Sequence, residues 1–557
     1  MRRAAQGILR GMMTLAACAA LSQTATANPQ LSAKQAVGGK KVIKPLPLLD
    51  RAWLQRKDPL IKKLAFVEQL QKDIDTQLHN KENQSRMMMA QALVLIGDEN
   101  SRIAAVELLK QAAENSPLKL TSQAASLVWK EFQNHLKISD STNYNTLADV
   151  AWAISTTGHT PEDPQWFYFV ALSAANRGDS AVALDLFGKT EPSSALFRHA
   201  KLQEGLLSAA SGNAAKAKNS LEIVMTLELT EAEKTTGLKK EALVNLKEIA
   251  ALNLARLMFE NKEFKEALSL YRSIDAQSPL FYESLSEQGW AFFMAGHPNR
   301  ALGAEYGATS PFFSDRFQPD QYFLSAAVNY WLCDFKAARR NIQAFVHHTR
   351  EDAALLRKWN LASAASAEQH KALVQKAFGV AENLVHGVSA AHNSLGPRGL
   401  QSLSKKTNII RRLTQLEKIR GARLEITRGN WPMRSKRTVV QSLLRREEAE
   451  QKHIGMMTLA LIAAMQSDYE RAVSQLRLIQ LEIMTAEKDK LMNRDRSAAG
   501  QEFLGSEEEF LEAVQQSAQV WSNEKKEFWK DELDSFIFSK KSQCQQQEGE
   551  DRKNVEK

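Results

Sequence analysis

The chain has 557 residues, 44% of them apolar and 25% charged, which is too long for one ordinary core and points to several domains or a repeat array. Glycine and proline are sparse, at 25 and 14 residues, which leans the chain toward helix and away from collagen-like or low-complexity classes. The formal charge of +9 is a mild surplus for this length.

Residues 1–27 read as an export signal. Arg2, Arg3 and Arg10 form a basic start, Gly11 to Leu21 is a short apolar run, and Ala25 and Ala27 are small residues before a cut at Asn28. The same stretch contains Leu15-Ala16-Ala17-Cys18, which has the form of a bacterial lipobox, so lipidation at Cys18 is the alternative. Either reading places the mature chain in the cell envelope, with the periplasm as the expected compartment and an outer-membrane lipoprotein as the alternative. Cleavage after Ala27 removes three arginines and no acid, lowering the charge from +9 to +6, and leaves Cys333 and Cys544 where disulfides persist. Nucleic acid is not an expected partner there. The apolar run is too short to span a bilayer, and no transmembrane span is expected elsewhere.

Residues 28–50, rich in Lys, Gly and Pro without a period, read as a linker. From Arg51 the pattern is helical. An N-terminal helical region, 51–140, contains a weak hairpin from Met87 to Pro117 on Ala92, Ala105 and Leu109. Across 141–350 the sequence repeats itself. Ala171, Ala183 and Phe187 recur 34 residues on as Gly205, Ala217 and Leu221, and Ala255 and Ala267 recur at the same spacing as Gly289 and Ala301. Ala326 and Ala338 take the same places in a further hairpin, Phe323–Thr349. The small residue of each pair lets two antiparallel helices approach, and large neighbours such as Leu254, Phe264, Leu268 and Tyr271 fill the space between hairpins. On these residues, with Pro279 closing a second helix, the chain resembles the tetratricopeptide repeat family. The resemblance implies an all-α solenoid of helical hairpins. Two stretches break the period: a polar helical insertion at 226–246 and an expected loop at 303–320.

Residues 351–446 are expected to be helical and, from 401, strongly basic. Arg411, Arg412, Arg420 and Arg423 are the candidates for contact with something anionic, such as lipid head groups, wall polymer or an acidic partner. The pattern is helical without a proline from Thr438 to about Lys490, and a long-helix region is placed at 447–495, its buried stripe formed by Leu459, Ile462, Val473, Leu476, Ile479 and Ile483. Residues 545–557 are expected to be disordered.

Motifs for chemistry are weak. Gly188-Lys189-Thr190 ends like a phosphate-binding loop, but the earlier glycine such a loop needs is Ala183 and no strand precedes it. His347 and His348 diverge by about 100° on a helix and do not converge on one ion. Met87-Met88-Met89 reads as core, and Glu507-Glu508-Glu509 as a solvated helix start. The chain is therefore read as non-catalytic, with no cofactor and no metal.

Two segments carry a narrower resemblance. Tyr322, Phe323, Cys333, Phe335 and Ala338, then Trp529, Asp531, Glu532, Leu533, Ser542 and Cys544, are similar to signatures of the large periplasmic tetratricopeptide proteins of deltaproteobacterial envelopes, the adventurous gliding motility group among them. This implies a scaffold that holds an envelope complex together through its solenoid surface. The alternative function is an accessory of cell-wall enzymology. Phe528, Trp529, Leu533 and Phe536 follow helical spacing, so residues 496–544 are expected to fold back as a helical clasp, with Cys544 bonded to Cys333.

Overall fold

The computed structural model describes residues 81–385, 402–491 and 528–544 with short interruptions, and a few positions from 60 to 67 and from 361 to 399. The stretches read as signal, linker and disordered tail, 1–27, 28–50 and 545–557, lie outside the described residues, as does all of 496–527. Every regular element described is helical. In chain order they are α1 (Lys81–Leu95), α2 (Arg102–Asn115), α3 (Ser122–His135), α4 (Tyr144–Ser155), α5 (Trp166–Asn176), α6 (Ser180–Gly188), α7 (Phe197–Ala210), α8 (Ala214–Thr226), α9 (Glu231–Thr235), α10 (Lys240–Glu260), α11 (Phe264–Arg272), α12 (Phe281–Met294), α13 (Pro298–Ala308), α14 (Pro319–Trp331), α15 (Phe335–Arg357), α16 (Ala367–Val385), α17 (Thr407–Arg428) and α18 (Met433–Leu491).

Consecutive helices pair as hairpins: α1 with α2, α5 with α6, α7 with α8, α10 with α11, α12 with α13 and α14 with α15. The last five share one turn. Gly178, Gly212, Lys262, Gly296 and Cys333 each hold a positive φ between 58° and 88°. The next residue in each turn donates its backbone N–H five residues back, Asp179 to Ala174, Asn213 to Ser208, Glu263 to Met258, His297 to Phe292 and Asp334 to Asn329, at 2.8–3.0 Å. This satisfies a carbonyl that the helix end would leave open and reverses the chain within three residues. Ala171, Ala183, Ala217, Ala255, Ala267, Ala301, Ala326 and Ala338 are all fully buried. A Cβ on Gly205 would reach 3.5 Å from the Ala217 carbonyl, and one on Gly289 3.7 Å from that of Ala301, so the paired small residues face one another.

The insertion at 226–246 becomes the short α9 and the start of α10. Its anchor is Arg198, whose guanidinium meets Glu233 at 2.9 and 3.1 Å and the carbonyls of Val224, Leu227 and Glu228 at 2.9–3.0 Å. Both side chains are almost completely buried, so every polar atom of the pair needs these partners. The loop expected at 303–320 is a correction: Gly303 to Ala308 continue α13, and only 309–318 connect it to α14.

The boundary expected at 446/447 is also absent. The helix starts at Met433 and runs 59 residues to Leu491, roughly 90 Å at 1.5 Å per residue. Near its start, Val439 and Leu443 join the core of the first hairpins, and Ser442 Oγ donates to Gln111 Oε1 at 3.0 Å. Midway, Ile454, Leu459, Ile462 and Met465 pack with α16 and α17. Near its end, Ala472, Leu476, Ile479 and Ile483 pack on Phe323, Ala326, Ala338 and Phe345 of α14 and α15. One helix thus ties the first hairpin of the array to the last.

Candidate interaction surface

The seat of α18 on α14 shows what the hairpin array can hold. The aliphatic stripe of α18 lies against Phe323, and polar pairs flank it: Arg471 to Asp320 at 3.1 Å, the Tyr330 hydroxyl to Glu482 at 3.2 Å, and Arg339 to Glu487. This is helix-in-groove recognition made within one chain, an apolar stripe for affinity and charge pairs for register. The hairpin register carries the same face onto earlier helices. Asp320, Phe323 and Tyr330 correspond on α12 to Glu283, Ser286 and Phe293, and on α10 to Ile249, Leu252 and Phe259. Trp290 already reaches Phe323, ring centroids 5.5 Å apart, and Phe293 sits edge-on to Trp331 at 6.4 Å. Arg256 on α10 is fixed by a forked pair with Glu287 on α12, 2.6 to 3.1 Å, which braces adjacent hairpins beside this face.

A second docking arrangement lies on α13. The tail from Phe528 crosses it, with Leu533 and Phe536 buried and Tyr306 surrounded by the rings of Phe528, Phe536 and Phe538 at 5.0–5.9 Å. Gly303 and Gly307, one helical turn apart, make the crossing possible. A Cβ on Gly303 would run into the Phe536 carbonyl, and one on Gly307 into that of Leu533. Asn299 then holds the backbone of Lys540 at both ends, each at 3.0 Å, and the Lys540 ammonium reaches Asn329 at 2.6 Å and Asp334 at 2.7 Å. The run ends at the Cys333–Cys544 disulfide, Cα atoms 5.3 Å apart, at the α14–α15 turn. Cys333 occupies the left-handed position that glycine takes in three of the sister turns.

The helical form expected for this tail is corrected. Among its described residues Lys530–Glu532 form a single 3-10 turn that runs into a turn at Leu533–Asp534, and 535–542 follow without regular structure. Trp529 is 62% exposed, so the apolar face is not the helical set expected from spacing. A non-helical chain puts backbone, not a helix flank, against the glycines, and that close approach decides the conformation. The glycine pair was readable as Gly-x-x-x-Gly, but its partner lies more than 200 residues away.

The four arginines proposed for an anionic partner do not act as one surface. Arg412 pairs with Glu450 at 2.8 Å, Arg420 with Glu382 at 2.6 Å and Glu447 at 3.0 Å, and Arg423 with Glu447 at 2.9 Å. Those three are staples between α17, α16 and α18. Arg411 alone of the four is exposed. Half-buried Arg446 belongs to the same bracing, reaching Asp149 on α4 and Glu450, both at 3.0 Å.

Lys189 pairs with Asp185 at 2.7 Å, and Thr190 beside it is buried. His348 stacks on Tyr322 at 5.5 Å, with the ring of His347 nearly perpendicular to its own. Among the described residues no group of three or more His, Cys, Asp or Glu side chains is placed to hold a metal ion, and no helix is long and apolar enough to cross a membrane. No protein-family model matches the chain, and no curated protein matches it.

Proposed function

We propose that this chain is a non-catalytic scaffold of the cell envelope that binds helical segments of other proteins along its hairpin array. The observation that carries the reading is the seat of α18 on α14. The array already holds an amphipathic helix there, and the same face continues onto α12 and α10 through Trp290, Phe293 and Phe259. The paired small residues twelve positions apart support kinship with tetratricopeptide hairpins. The disulfide supports an oxidising compartment, and with the N-terminal signal it favours the periplasm. Within that compartment the role is that of a structural member of an envelope assembly, of which gliding machinery is one kind.

The test is a photo-crosslinking amino acid at Phe293 or Met294 in the full chain, irradiated in intact envelopes, with the same group at Lys265 as a control. Adducts with a structural envelope protein at the first two positions and not at the third are expected. Absence of adducts at all three, or adducts only with cell-wall hydrolases, would overturn the scaffold reading.

A further inference from the structure

The end of the α17–α18 hairpin has two faces of opposite character. One face is anchored: Ile419, Ala422 and Ile426 of α17, with Val439 and Leu443 of α18, are buried in the core built on α2. The other meets solvent and carries three large apolar side chains. Met433, at the turn, is 79% exposed, the highest value among the exposed large hydrophobics, and Leu424 and Leu444 are 45% and 41% exposed. Arg428, Arg437 and Arg445 stand exposed among them. None of these three makes an ion pair among the described residues, whereas Arg412, Arg420 and Arg423 on the inner side are all consumed by glutamates. Further along, Arg411, Lys418 and Lys452 extend the positive surface, against the exposed acids Glu417, Glu425 and Glu448.

We propose that this hairpin end is a membrane-contact site, resting on the surface of an anionic phospholipid bilayer with Met433, Leu424 and Leu444 entering the head-group boundary. The arginines match the sign of an anionic leaflet, and each basic side chain near such a surface strengthens the attraction. Charge alone would suit an acidic polymer equally well. The apolar side chains decide between them, because a hydrated polyanion offers no gain for covering Met433 and a bilayer boundary does. The anchored inner face makes the site a rigid one, so binding orders little chain. The inference does not depend on the helix-binding face, which lies on other hairpins.

The experiment is co-sedimentation of the full chain with vesicles of phosphatidylcholine, with and without about a third phosphatidylglycerol, at low and high salt. Binding to the anionic vesicles that weakens with salt is expected. Arg428→Glu/Arg437→Glu/Arg445→Glu should lower partitioning at least about 50-fold, and Leu424→Ser/Met433→Ser/Leu444→Ser about 10-fold. Urea unfolding of both variants and of an Arg→Gln version checks that the exposed changes leave folding intact; a misfolded Glu variant is replaced by the Gln one. No partitioning by the wild-type chain, or equal partitioning onto neutral vesicles, would overturn the proposal. So would a full loss with the charge variant and none with the apolar one, accompanied by equal binding to soluble polyphosphate, which would identify an acidic polymer as the ligand.

Discussion

Glu305 stands on α13 at the position where Phe187, Leu221 and Tyr271 fill the earlier hairpins, and it is only 1% exposed. The Gln321 amide donates to its Oε2 at 2.7 Å and in turn accepts from the Ser286 hydroxyl. Burial first, and then the nearby charge of Asp320, push its carboxyl well above the ordinary range. A carboxyl raised on folding favours the native state fully below its unfolded pKa, and that contribution is lost as pH rises through the folded value. Glu305→Gln keeps the shape and removes the titration. The variant should therefore gain stability relative to the parent as pH rises from about 4.5 to 8, by at least about 1 kcal/mol at the upper end. Urea midpoints of both proteins across that range are the check, and parallel curves would show that Glu305 does not titrate as described. His199 illustrates the same force on a base: burial beside Tyr144 and Tyr168 lowers it to about 4, so it is neutral in the core at ordinary pH.

Among the elements, α13 bears the most unusual demand, since it must pack α12 on one side and admit a bare backbone on the other. Gly303 and Gly307 are the solution, and no side chain on them is compatible with the observed crossing. Gly303→Val should lift the tail off α13, costing about 1–3 kcal/mol as an overpacking change. The Cys333–Cys544 bond would then be reduced at least about 10-fold faster by a small thiol under native conditions. Gly379→Ala on α16, where a Cβ would meet nothing within 4 Å, is the control. An unchanged reduction rate in Gly303→Val would mean the tail is held by the disulfide and not by its seat. In α17 the lesson runs the other way. A run of arginines invites an external anion, yet Arg412, Arg420 and Arg423 fall on the flank that meets Glu382, Glu447 and Glu450. Only the exposed flank remains for a partner.

At the scale of the whole molecule, two long-range ties act on what would otherwise be a series of neighbour-only hairpins. The helix α18 joins α2, and α4 through the Arg446–Asp149 pair, to α14 and α15, and the disulfide closes a sequence separation of 211 residues that contains α15 to α18. In the chain-entropy model a loop of that length stabilises by about 5 kcal/mol. Cys544→Ser should therefore unfold at clearly lower urea, by up to about 5 kcal/mol, and the wild-type chain in reductant should match it. Non-reducing peptide mapping that found two free thiols in chain purified from the oxidising compartment would refute the tie itself.

The helical class, the pairing of small residues twelve apart, the insertion at 226–246 and the expectation that Cys333 meets Cys544 were all legible in the residues alone. Helical periodicity and hairpin packing are written within about forty residues, so they are legible locally. The rest was set by long-range packing. The arginines of α17 found glutamates on α16 and α18, the basic segment and the long helix fused at Met433, and the aromatic tail took a largely irregular course instead of an α-helical one. Each of these depends on which surface arrives from a distant part of the chain. Spacing along the sequence says which side chains share a face, but only the arriving partner says whether that face is core, staple or open surface.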